Sequence, residues 1–182
     1  DQSIGYDRFY GTGTFTSQTL MGYLAGRLPS TVEMVVVHRL NAYPSPVPKG
    51  LPHYLGERGY DTGLAGGMAC DADSDCSESA YFLPVSYGDG FRVAELGPRG
   101  ATTEDVLGLA RRAWARLDPD RPRLLWVHDL SVHDAEKDHD AYRDRVRAAA
   151  HTFRRLRDQI APDAVWVLTS DHGEEFLEHG DY

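Results

Sequence analysis

The chain has 182 residues, 41% of them hydrophobic and 26% charged, with a mean hydropathy of -0.46. That profile excludes a low-complexity or disordered chain and fits a soluble globular domain large enough to bury a core. Its 19 Lys and Arg against 28 Asp and Glu leave a net charge of -9, which argues against a general nucleic-acid binder. The aliphatic run Met34 to Val37 is far short of the ~20 apolar residues of a membrane-spanning helix.

In chain order, Gly5, Gly11 and Gly13 lead into Thr14 to Ser17, after which Leu20, Tyr23 and Leu24 keep helical spacing as far as Gly26. A hydroxyl residue at the mouth of a short helix is the expected cap. Met34 to Val37 and Thr62 to Leu64 read as strands, and the stretch from Cys70 to Gly100 as a loop or small excursion. Thr102 with Asp105 three residues on is a capping-box spacing that opens a helix through Val106, Ala110, Ala113, Trp114 and Leu117. It should stop near Asp118-Pro119. Leu124 to Val127 and Val165 to Leu168 are apolar runs of strand length. Between them, Tyr142, Val146, Ala149, Ala150, Phe153, Leu156 and Ile160 form one stripe of a helix from Asp140 to Ile160.

Strand, long helix and strand make a βαβ unit, so the two apolar runs should be parallel neighbours. The long helix also carries Arg143, Arg145, Arg147, Arg154, Arg155 and Arg157. With Asp144 and Asp158 interspersed, this reads as a solvated face rather than a nucleic-acid patch. The first apolar run ends in His128-Asp129 and the second in Thr169 to Glu174. Ligands bind at the carboxyl ends of strands in open parallel sheets, so both polar clusters are functional candidates by position.

Asp171-His172-Gly173 pairs a hard carboxylate with an imidazole, and the turn that Gly173 permits can aim both at one metal ion. The alternative is a loop carboxylate beside a hydrogen-bonded histidine. Thr16, at a helix N-terminus, is either a plain cap or an oxygen nucleophile favoured by the free backbone amides there. His128 either faces the site or is satisfied by backbone hydrogen bonds. In CDADSDC, Asp71, Asp73 and Asp75 alternate as in a calcium loop but lack its glycine and its closing glutamate. Cys70 and Cys76 are compatible with a short disulfide loop, which would fit an extracytoplasmic compartment, and equally with two free thiols.

Val165 to Gly180, VWVLTSDHGEEFLEHG, closely resembles the metal-binding segment of the sulfatase family of the alkaline-phosphatase superfamily. Three looser matches follow the family's order: TFTSQTLMGYLAGRLP from Thr14 resembles its nucleophile helix, LGERGYDTGLAG from Leu55 its Gly-Tyr-x-Thr strand segment, and LLWVHDLSVH from Leu124 its strand leading to a histidine loop. The resemblance implies an α/β fold with a mainly parallel sheet and helices on both faces. It further implies a metal-dependent hydrolase acting on a sulfate or phosphate ester. Carried over by position, Thr16 is the nucleophile and a metal contact, Asp171 and His172 are ligands of a divalent ion (Zn, Mn, Ca or Mg), His133 serves the transferred group, and His128 and His179 contact the substrate.

The departures shape this expectation. Thr16-Ser17-Gln18-Thr19-Leu20 stands where sulfatases have C/S-x-P-S-R, so no formylglycine can form. The substrate lysine expected after the Gly-Tyr-x-Thr segment is replaced by Gly66-Gly67-Met68. An unmodified threonine resembles instead the phosphodiesterase and phosphotransferase relatives, in which a metal-bound hydroxyl attacks phosphorus. The missing Arg and Lys also admit a non-catalytic binding or sensory relative. The family's first metal-ligand strand has no counterpart before Thr16 and its last site groups fall beyond Tyr182, so residues 1–182 are expected to be one partial domain. No secretory signal is visible in the chain, which opens on Asp1-Gln2-Ser3 without a cationic start, an apolar run or an initiator Met and so reads as a mature product or a piece of something longer.

Overall fold

A computed structural model describes residues 4–6, 8–12, 16–31, 34–38, 41–44, 49–66, 90–98, 101–132 and 138–173. Helix α1, Thr16–Ala25, forms because Leu20 and Leu24 recur at one helical turn and are buried at 1% and 3% exposure. It ends at Gly26, which takes the left-handed φ of 64° that glycine adopts at little cost. Strands β1, Met34–His38, and β2, Asn41–Pro44, pair antiparallel, with Met34 opposite Pro44 and Val36 opposite Ala42. The strand expected at Met34 to Val37 is therefore present, but as one arm of a two-stranded sheet of its own.

After helix α2, Leu51–Glu57, comes β3, Asp61–Gly66, and later β4, Val93–Leu96. Helix α3, Thr103–Arg116, starts at the expected capping box. The Thr102 hydroxyl accepts from the Asp105 amide at 3.2 Å, and the Asp105 carboxylate accepts from the Thr102 amide at 2.9 Å. Strand β5, Arg123–His128, and helix α4, His139–Ile160, complete the order.

The second sheet runs β4-β3-β5 and is parallel throughout, with Gly63 level with both Val93 and Leu125 and Gly66 level with His128. Side chains alternate across it. Ala65, Val93, Leu125 and Val127 pack with Leu107, Ala110 and Ala113 of α3 and Leu156 of α4. Leu64, Leu96 and Trp126 meet Leu20 and Leu24 of α1 on the opposite face. The expected α/β class, a parallel sheet between helices on both faces, is thus present over three strands. Full burial of Leu20, Leu107 or Leu156 is worth about 1.5–3 kcal/mol each.

Two expectations are corrected. Val165 to Leu168 is not a strand: it joins no ladder, and Val165 and Val167 are 94% and 84% exposed. The parallel neighbour of β5 is β3, which precedes it, rather than the run that follows α4. Apolar content marks a segment that could be buried and says nothing about which edge it joins. The second correction is β4, which lies inside the stretch read as loop. Four residues after a Gly-rich approach show too little alternation to register as a strand, and β4 exists because β3 offers it an edge.

The amino ends of the strands are locked by Asp61, which is 1% exposed. Its carboxylate forms a two-point ion pair with Arg92 and accepts from the Asp118 amide at 2.6 Å and the Thr62 amide at 3.0 Å. The Arg92 guanidinium, ahead of the other contributions, holds the Asp61 pKa down to about 2, against the opposing effect of burial. The carboxyl ends of the same strands are free to carry chemistry.

Candidate functional site

Thr16 and the loop after α4 meet at that carboxyl end. Thr16 is the first residue of α1, and its Oγ1 lies 3.3 Å from Nε2 of His172, 156 residues away in sequence. Nδ1 of His172 is 2.7 Å from the carbonyl of Gly173, a contact in which the ring nitrogen must donate. In the neutral ring Nε2 is then the acceptor, and the Thr16 hydroxyl donates to it.

Oδ2 of Asp171 stands 3.5 Å from the same Nε2. This oxygen is buried and has no hydrogen-bond partner, while the two side chains as wholes are only 22% and 23% exposed. A buried carboxylate oxygen without a donor is costly unless a cation or proton meets it. Two donor atoms each ~2.1 Å from a tetrahedral ion stand about 3.4 Å apart. The 3.5 Å between Oδ2 and Nε2 and the 3.3 Å between Nε2 and Oγ1 agree with that spacing, so Asp171 with His172, and His172 with Thr16, are each spaced as two ligands of one ion would be. Among the described residues no group of three or more His, Cys, Asp and Glu is arranged to hold a metal. The fit therefore rests on one carboxylate, one imidazole and one hydroxyl.

His128 closes β5 beside this cluster. Burial pushes its pKa down; the carboxylates of Asp171 and Asp129 oppose that shift and His172 adds to it. The neutral ring is favoured, and the influence of Asp171 and His172 places the strand end next to the loop. Gly66 lets the end of β3 lie close against the end of β5: with φ of 86°, a Cβ there would lie 2.0 Å from the His128 carbonyl oxygen. Asp129, the next residue, accepts from the Ser131 amide at 2.9 Å through Oδ1, while its Oδ2 is buried without a partner.

His133, His179, Cys70 and Cys76 lie outside the described residues, as do Asp71, Asp73 and Asp75. Four arginines of α4 are engaged within the chain: Arg143 pairs with Asp140, Arg147 with Asp144 and Arg157 with Asp158 on the same helix, and Arg155 with Glu104 of α3. No helix among the described residues is long and apolar enough to cross a membrane.

Of two further residues at the site, the sequence marks Ser170 only as part of the polar cluster Thr169 to Glu174 and does not mark Tyr23 as a site group. Tyr23 was visible only as part of the α1 stripe, and its hydroxyl donates to the carbonyl of Ser170 at 2.8 Å. Ser170 in turn donates from its hydroxyl to the His172 carbonyl at 2.6 Å. The seven-residue interval from Thr16 to Tyr23, two helical turns, was the one signal that could have joined them. Compared with family models, curated proteins and solved structures, the chain matches none.

Proposed function

We propose that this chain carries the catalytic centre of a metal-dependent, sulfatase-like hydrolase that cleaves or transfers at a sulfate or phosphate ester through the Thr16 hydroxyl. The observation that carries the reading is the convergence of Thr16 Oγ1 on His172 Nε2, beside the orphaned Oδ2 of Asp171. Asp171, His172 and Thr16 would hold the divalent ion. Once bound, it supplies Lewis acidity, lowering the pKa of the hydroxyl and offsetting the negative field of an acidic protein.

Thr16 Oγ1 releases its proton to water and attacks the phosphorus or sulfur; the bond from Oγ1 forms as the bond to the ester oxygen breaks, that oxygen leaves with the electron pair, and water or an acceptor hydroxyl then displaces Oγ1 to release the group and restore the threonine. The positive end of α1, at its first turn, orients the non-bridging oxygens. His128, kept neutral by burial, donates a hydrogen bond to the anionic substrate. By the family resemblance, His179 would make a further substrate contact and His133 would contact or protonate the oxygens of the transferred or leaving group. Between the two esters, an unmodified threonine favours phosphate.

The test is metal content together with turnover of nitrophenyl phosphate monoesters, diesters and sulfate, with and without added Mn²⁺ or Zn²⁺. Metal-stimulated release of nitrophenol that Thr16→Ala abolishes supports the reading. A protein that takes up no metal and turns over none of these esters refutes it in favour of a non-catalytic relative.

A further inference from the structure

Asp171 and His172 lie on a stretch that the sheet does not hold. Residues 165–170 run without ladder hydrogen bonds, and Val165, Val167 and Leu168 are 94%, 84% and 73% exposed. A strand normally fixes the residues at its carboxyl end through its neighbours. Here α1 reaches across at two points instead. The Thr16 hydroxyl meets His172, and the Tyr23 hydroxyl meets the Ser170 carbonyl. Seven residues on a helix bring these two side chains onto one face about 10 Å apart along the axis.

From this geometry we infer that Tyr23 is a positioning residue, whose hydroxyl pins the Ser170 carbonyl so that Asp171 and His172 are presented to Thr16. The chain of contacts is short. Tyr23 fixes Ser170, the Ser170 hydroxyl fixes the His172 carbonyl, and the imidazole is then held with Nε2 toward Thr16. The Tyr23 ring is placed independently by Phe9, with centroids 5.9 Å apart and planes at 45°. The hydroxyl can therefore be removed without removing the ring. In its metal-binding aspect the inference rests on the function proposed above, and in its geometric aspect it does not.

The experiment compares Tyr23→Phe with the unaltered chain by three measurements. The first is the nuclear Overhauser effect between the Thr16 methyl and the His172 ring, which requires no metal. It should be present in the unaltered protein and lost or strongly reduced in Tyr23→Phe. The second is Mn²⁺ affinity, read from the paramagnetic resonance of free Mn²⁺, which should weaken about 10- to 100-fold, as for groups that orient metal ligands. The third is the thermal midpoint, which should move by no more than about 2 °C, since one exposed hydrogen bond is lost and no packing.

A Tyr23→Phe protein that keeps the Overhauser effect at full strength overturns the inference, as does one that loses it only together with a collapse of the thermal midpoint. If the unaltered protein binds no Mn²⁺ but Tyr23→Phe still uncouples Thr16 from His172, the functional proposal fails and the positioning role stands.

Discussion

Oδ2 of Asp171 and Nε2 of His172 face one another at 3.5 Å with no hydrogen bond between them. In the metal-free protein this arrangement holds a buried carboxylate oxygen without a donor, and removing its charge should be favourable. Asp171→Asn is expected to raise the stability of the metal-free protein by about 1 kcal/mol, because the neutral amide is cheaper to bury. If Asp171 holds a divalent ion as proposed, saturating Mn²⁺ should stabilise the unaltered chain, and the same change should abolish that gain. Thermal melts with chelator and with Mn²⁺ measure both signs. A variant destabilised in chelator would place Asp171 in a structural role.

Thr16 gives a sharper kinetic test. If Thr16 is the attacking oxygen, as proposed, it cannot be replaced by a methyl group: Thr16→Ala should lower ester turnover by at least about a thousandfold, while Thr16→Ser, which keeps the hydroxyl, should retain measurable turnover. Initial rates at saturating ester decide the matter. Equal rates for Thr16→Ala and the unaltered protein remove Thr16 from the nucleophile's place.

How far these sites were legible depends on the range of the interaction that makes them. The capping box at Thr102 and Asp105 and the stripe of α4 are local and appear where the spacing put them. That Asp171 and His172 stand side by side is readable because they are adjacent in sequence. That Thr16 opens α1 is readable because a helix mouth marks itself. Tyr23 was not, since a tyrosine on an apolar stripe gives no sign that its hydroxyl meets a carbonyl 147 residues on. The pairing of β5 with β3 was hidden for the same reason: apolar runs declare burial, and the choice of edge is settled by tertiary packing. Asp61 is a further case, its partner Arg92 lying 31 residues downstream with no pattern joining them.

The ion pair of buried Asp61 with half-exposed Arg92 contributes to the acid behaviour of the fold. The Asp61 pKa is depressed to about 2 from an ordinary value near 3.8, chiefly by Arg92. The carboxylate's contribution is therefore fully present above about pH 4 and lost as the pH falls through 2, because the unfolded chain takes up its proton first. Asp61→Asn keeps the shape but turns an amide toward Arg92 and the Asp118 N–H, and should cost about 2–4 kcal/mol at pH 7. Urea unfolding from pH 7 to pH 2.5 should show that cost shrinking toward the acid end. A cost independent of pH would mean that packing, rather than charge, accounts for it.

The exposed run after α4 can be tested by how little it matters to stability. Val165 and Val167 are 94% and 84% exposed, whereas Leu64 on β3 is 2% exposed and Leu156 on α4 is 1% exposed. Replacing Val165 and Val167 together by threonine should change the unfolding free energy by less than about 0.5 kcal/mol per site. Leu64→Ala or Leu156→Ala should each cost about 2–5 kcal/mol by leaving a cavity against the sheet. Denaturant midpoints for the four proteins separate the two regimes. A loss of more than about 1 kcal/mol per valine would show that the run packs as a fourth strand beside β5, and the Tyr23 hydroxyl would then share the positioning of Asp171 and His172 with the sheet.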